Sequence, residues 1–225
     1  MGIVRGNSFT ARHLDPGTRM GEVLFGLIMT LTFTLGAGLV IQEEGREGAR
    51  EMLVAILGCN LAWGVIDGVF YVLGQLFERG RLRSIGTEVR GAGSDAAAYD
   101  LVAGEFDELL APVTDEPQRR KLYQSFVQRL RSTAPAPNRV RRDDLLGGLV
   151  SGGLVFACSF PAVIPFLLID DPHRALRMSN AILISLLFLV GHRAARHTLA
   201  NPWLAGAVFA LAGTLLVAIA IPLGG

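Results

Sequence analysis

The sequence predicts an all-α polytopic membrane protein, with five transmembrane helices and a small helical cytosolic insert between the second and the third. Three observations predict it. Of the 225 residues, 51% are hydrophobic and only 18% charged, with a mean hydropathy of +0.42, a balance too apolar for an ordinary soluble domain. The charges are segregated: they avoid long apolar windows and crowd between them. Those windows approach or exceed the roughly 20 residues that cross the hydrocarbon core of a bilayer.

Residues 1–19 read as a polar cytosolic tail with Arg5, Arg12 and Arg19, ending in a turn signal at Asp15-Pro16-Gly17. No small-residue cleavage site follows a short apolar core, so the first span is expected to serve as an uncleaved anchor. That span runs from about Met20 to Ile41. Glu22, Gly26, Thr30, Thr34 and Gly38 recur every fourth residue. This puts one carboxylate and a small, hydroxylated stripe on a single helix face, and such a face packs on other helices instead of lipid. Gln42 to Glu51 reads as a short acidic loop. The second span, Met52 to Phe77, carries Asn60, Gly64, Asp67, Gly68, Tyr71, Gly74 and Gln75 on one side. A short loop makes the two spans antiparallel neighbours, so residues 20–78 form the first transmembrane pair.

Residues 79–143 are the one sizeable polar region, read as a cytosolic helical insert. Gly91-Ala92-Gly93-Ser94 is a flexible joint, and Asp95 is expected to cap a helix that Pro112 ends. Thr114 is expected to cap a second helix running to about Ser132, with Leu122, Phe126, Val127 and Leu130 as its apolar face. The linker from Thr133 to Asn138 leads to the basic run Arg139 to Arg142. Residues 144–225 hold three further spans. The third, Leu145 to Ile169, opens with Gly148 and Gly152 in a GxxxG spacing that permits close helix approach; Pro161 and Pro165 then imply a kink or break. The fourth runs from about Ala175 to Gly191. The fifth opens at Asn201-Pro202-Trp203, with Trp203 as an interface anchor, and runs to Leu223.

Lys and Arg counts orient the chain. The N-terminal tail has 3, the 79–143 region 12 and the 192–202 loop 2, against 2, 2 and none in the 42–51 loop, the 170–177 loop and the C-terminal tail. The positive-inside rule then puts the N-terminus and the insert in the cytosol and the C-terminus outside. Richness in alanine, glycine and arginine points to a bacterial plasma membrane.

Asp67 is the first candidate for chemistry. It lies ten residues before Phe77, which at 1.5 Å per residue is roughly 15 Å from the cytosolic end and near the midplane. An intramembrane carboxyl is costly and usually functional; it can exchange a proton for a metal ion. The plainer reading is a carboxylic acid hydrogen-bonded to Thr30 or Thr34 as packing glue. Antiparallel pairing sets Glu22 at the depth of Gln75, either at a pathway mouth or reaching the interface from a helix's first turn. Met29 falls near the depth of Asp67; a thioether is a soft ligand for a transition metal, or simply apolar filler. Asn60 offers a neutral oxygen or a helix–helix hydrogen bond. In the insert, Glu105 and Glu108 share a helix face with Asp100 nearby, either a metal-collecting set or a solvated acidic face.

Other chemistries find little support. The basic residues flank spans instead of forming a nucleic-acid-reading element. Cys59 and Cys158 fall inside apolar segments and fit packing, not a disulfide framework or a zinc motif. Ser151 and His192 suggest an intramembrane protease, but the spacing is not Gly-x-Ser-Gly, and no P-loop, HExxH or nucleophile elbow appears. No enzyme activity and no resident cofactor are expected.

Two polar-striped spans, a helical insert and three further spans resemble the layout of the vacuolar iron transporter family. Ser159 to Leu168 (SFPAVIPFLL) looks like that family's third-span segment, GEVLFG like its opening segment, and the second span with Asp67 followed by Tyr71 like its small-residue span carrying a Glu. The resemblance implies a homodimer through the first two spans of each subunit. It implies a divalent-metal path between those spans and export of Fe²⁺ or Mn²⁺ from the cytosol in exchange for protons. The chain departs from the pattern where Ile28 or Met29 stands at the family's first-span Asp, where Asp67 replaces its Glu, and where the cytosolic acidic cluster is thin, as in a divergent bacterial-type member. The expected function is proton-coupled transport of a divalent transition metal, with Asp67, Glu22, Met29 and Asn60 along the path. The alternative is a non-transporting membrane scaffold whose insert recruits a partner.

Overall fold

The computed structural model describes residues 13–36, 41, 45–134, 137–197 and 200–220, and no strand occurs among them. The helices are α1 (Pro16–Gly36), α2 (Arg46–Gly91), α3 (Asp95–Leu110), α4 (Glu116–Ser132), α5 (Arg142–Ala157), α6 (Phe160–Leu168), α7 (Pro172–Ala194) and α8 (Pro202–Ala220), with 3-10 turns at Ala111–Val113 and Ala195–His197. Among the described residues, three stretches are long and apolar enough to cross a membrane: Arg46–Gly91, Arg142–Leu168 and Pro172–Ala194. Neither α1 nor α8 is among them; Gly38, part of the expected first-span stripe, and the end of the expected fifth span lie outside the described residues. The chain falls into two compact units, one of residues up to Tyr71 with those from Arg142 onward, the other Val72–Arg141.

In the first unit, α1 starts earlier than the hydropathy boundary. The Asp15-Pro16-Gly17 turn is its N-cap: Asp15 Oδ1 accepts from the backbone N–H of Gly17 at 2.8 Å and of Thr18 at 3.1 Å, and the Thr18 hydroxyl donates to Oδ2. The bond from the Thr18 side chain, then that from its backbone, hold the Asp15 carboxyl below its ordinary range. Pro16 takes the first helical position, where its missing N–H is not needed. The start of α2 also differs from expectation. Arg46 to Glu51, read as loop, is its first turn and a half, and the chain pivots at Gly45, whose φ of 58° favours glycine. Leu27 and Leu31 of α1 pack with Leu183 and Leu187 of α7 and with Cys158 and Ala162 at the α5–α6 corner. Ile41, Met52, Ile56 and Leu176 form a second cluster. The expected proline break falls between Ala157 and Phe160, with Pro161 in the first turn of α6 and Pro165 inside it. Asp171 caps α7 by accepting from Arg174 N–H at 2.9 Å, and Asn201 accepts from the first N–H groups of α8. Gly191 of α7 lies against Ala205 and Phe209 of α8.

The second unit packs α3 and α4 on the last turns of α2. Val89, Ala98, Val102, Tyr123 and Val127 are its buried core, with Phe126 and Leu130 half-buried beside them. Tyr123 is fully buried and donates to Asp107 Oδ1 at 3.1 Å. The caps shift by one residue from those expected: Ser94 Oγ accepts from Ala97 N–H at 3.2 Å, and Asp115 Oδ1 from Gln118 N–H at 2.8 Å. Asn138 lies against α2, its Nδ2 donating to Leu76 O at 3.1 Å.

Candidate functional site

Antiparallel α1 and α2 meet along the two stripes. Asn60 Nδ2 donates to Thr30 Oγ1 at 2.7 Å, with both side chains buried, and Thr30 Oγ1 donates to Gly26 O at 2.8 Å. Two turns further along α2, the carboxyl of Asp67 faces that of Glu22 within hydrogen-bonding reach. These two pairs set the helix register. Asn60 therefore serves the helix–helix bond; its Oδ1 is buried with no donor among the described residues.

A third helix closes the site. Gly64 and Gly68 of α2 oppose Gly152 and Gly148 of α5, glycine against glycine. A Cβ at Gly64 would fall 2.5 Å from Gly152 O, and one at Gly68 would fall 2.8 Å from Gly148 O. Only paired glycines let two helix backbones approach so closely. Gly147 gives the same room to the ring of Tyr71. The crossing brings Ser151, buried on α5, to Glu22, whose Oε1 accepts its hydroxyl proton. Asp67 Oδ2 is buried and has no donor among the described residues. Glu22, Asp67 and Ser151 thus stand together inside the first unit, on three different helices.

Asp144 continues this line. It is only 4% exposed, in the first turn of α5 and within electrostatic reach of Tyr71, whose hydroxyl donates to His13 O at 2.9 Å. Asp144, Gly148, Ser151 and Gly152 occupy one face of α5, at the same offsets of four, seven and eight that mark the α2 stripe. Sequence reading passed over Asp144 because it adjoins Arg142 and Asp143 and looks like part of a solvated charge run. The offsets were the signal that would have found it.

The register corrects two expected depths. Glu22 meets Asp67, not Gln75. Met29 is half-buried and adjoins Thr30, which sets it level with Asn60 and about 10 Å along the helix from Asp67. The cause is the early start of α2 at Arg46, which slides the second span by about two turns against the first. In the second unit, Asp100 and Glu108 are exposed, and Glu105 is ion-paired with Arg81 of α2. Asp107 pairs with Arg119 at 2.7 Å. The acidic set is thus partly engaged by arginines, and among the described residues no three His, Cys, Asp or Glu side chains converge as a metal-binding group. Ser151 and His192 have separate partners: the imidazole of His192 lies against Phe188 and Trp203.

Among the described residues, fold and site define an all-helical protein with three helices long and apolar enough to cross a membrane, and a carboxyl pair held between helices by a glycine crossing. No protein-family model matches the chain, and no curated protein sequence matches it.

Proposed function

We propose that the protein is a proton-coupled transporter of a divalent transition metal, exporting Fe²⁺ or Mn²⁺ from the cytosol. In this reading it crosses a bacterial plasma membrane five times, N-terminus inside and C-terminus outside, as a divergent relative of the vacuolar iron transporters. The observation that carries the reading is the facing Glu22–Asp67 pair with Ser151 on the third helix. Two carboxyls this close share a proton or a cation between them. Two carboxylates and a hydroxyl, completed by water, suit a hard divalent ion. With Met29 away from the pair, the donors are all oxygen, which favours Mn²⁺ over softer ions. Asp144 and Tyr71 form the cytosolic approach. The outward face of α2 is apolar from Val54 to Phe70, suited to lipid or to a second copy in a homodimer.

A second reading rests on the Val72–Arg141 unit. It has its own core and a groove of about 920 Å³ between α3 and α4, lined in part by Asp95, Tyr99, Asp100, Arg120 and Arg131. A scaffold that recruits a partner through that groove would leave the carboxyl pair without a transport role. Proteoliposomes separate the two. Transport requires Mn²⁺ or Fe²⁺ flux driven by a pH gradient and its loss in Asp67→Asn; a scaffold gives no flux and loses function when residues 95–132 are deleted.

A further inference from the structure

We propose that the second unit carries a binding site for the phosphate headgroup of an anionic lipid, formed by Arg79, Arg83 and Arg90 of α2 and by Arg141 of the basic run that precedes α5. The four arginines line one cavity of about 310 Å³, and none of its described lining residues is acidic. On α2 they fall at offsets of four and eleven from Arg79, one face of the helix. Arg90 is fixed there by donating Nη1 to Leu130 O at 3.0 Å and to Thr133 O at 2.9 Å. Arg79 Nη2 donates to Arg139 O at 3.3 Å, so the helix and the basic run are tied at the cavity wall. Leu82, Leu130 and Pro137 supply apolar surface beside the charges.

Two further features indicate a lipid source for the phosphate. The first is connectivity: Arg79 follows the last apolar residue of one span, Phe77, by two positions, and Arg141 immediately precedes α5. A basic pocket at that level of the chain is where anionic headgroups are held in the cytoplasmic leaflet. The second is a neighbouring hollow of about 410 Å³, lined by Leu73, Leu76, Phe77 and Gly80, with Arg81 and Ser84 on its polar side. Asn138 borders both cavities, so a phosphate among the arginines has the leucine and phenylalanine side of that hollow for an acyl chain just beyond one side chain. The inference does not rest on the transport reading.

The test titrates phosphatidylglycerol or phosphatidylcholine into the detergent-solubilised full chain and counts bound lipid by native mass spectrometry. Phosphatidylglycerol should be retained and phosphatidylcholine lost. Arg83→Gln should weaken retention about fivefold and Arg83→Gln with Arg141→Gln roughly thirtyfold, from the share of each cation near an anionic headgroup. Arg83 is exposed, so its substitution leaves the core intact, which an unchanged helical circular dichroism spectrum checks. Arg83→Lys, which keeps the charge, should keep most of the binding. Arg129→Gln, on α4 and outside the cavity lining, should have no effect. Equal retention of the two lipids, or equal weakening by Arg129→Gln, would overturn the site in favour of diffuse positive charge. Displacement of phosphatidylglycerol by excess inorganic phosphate, with phosphate bound in its place, would overturn the lipid source.

Discussion

Replacing Gly64 by alanine probes the glycine crossing that assembles the site. The new Cβ would lie 2.5 Å from Gly152 O, whereas ordinary contact begins at 3.4 Å, so α2 and α5 must part by about 0.9 Å. Overpacking of this kind costs about 1–3 kcal/mol. For a chain of this size each kcal/mol moves the thermal midpoint by about 2–4 °C, so the expected loss is about 2–12 °C. Gly58 is an internal control on the same helix: a Cβ there meets nothing within 4 Å. Alanine at Gly58 should leave the midpoint unchanged or raise it, since alanine is favoured over glycine in a helix by about 0.5–1 kcal/mol. Because Ser151 adjoins Gly152, Gly64→Ala should also draw Ser151 from Glu22 and weaken any metal-dependent stabilisation. The assay is thermal unfolding by circular dichroism in detergent, with and without Mn²⁺. Indistinguishable midpoints for Gly64→Ala and Gly58→Ala would refute the close crossing.

Three further outcomes follow from individual contacts. Asn60→Leu removes the buried bond to Thr30 and should cost about 0.6–2 kcal/mol by the same assay, while Mn²⁺ binding stays intact because Asn60 is not beside the carboxyl pair. Asp15→Ala should cost about 0.5–2 kcal/mol as a lost N-cap. With the folded carboxyl held below its ordinary range, the wild-type advantage should be complete above about pH 4 and fade as pH falls through the lower folded value; an advantage that grows on acidification would contradict the cap. Tyr123→Ala empties a fully buried site in the second unit and should cost about 3–5 kcal/mol, seen as trypsin cleavage within residues 95–132 while the apolar helices stay protected.

What the sequence made legible was periodic. Glu22, Gly26 and Thr30 of the four-residue stripe and the matching stripe from Asn60 to Tyr71 do face other helices, and the Gly148–Gly152 spacing does mark a close approach. Register was not legible, because hydropathy marks where a helix enters lipid and not where it begins. Arg46 to Glu51 is polar and helical together, and that misreading moved Glu22 and Met29 by two turns against α2. Partners far apart in sequence were hidden as well. Nothing near Glu105 announces Arg81, 24 positions earlier, and nothing near Glu22 announces Ser151. Asp144 carried the periodic signal but sat in a charge run that looked solvated.

The exchange of proton for metal at Glu22 and Asp67 is the central claim, and proton release on metal binding tests it directly. Carboxyls that share a proton must surrender it to a cation that takes their place. Mn²⁺ added to the purified full chain in weakly buffered solution, with a pH-indicator dye, should release protons in wild type and none in Glu22→Gln with Asp67→Asn. Mn²⁺ binding with undiminished proton release in the double variant would place the exchange elsewhere and remove the pair from the mechanism.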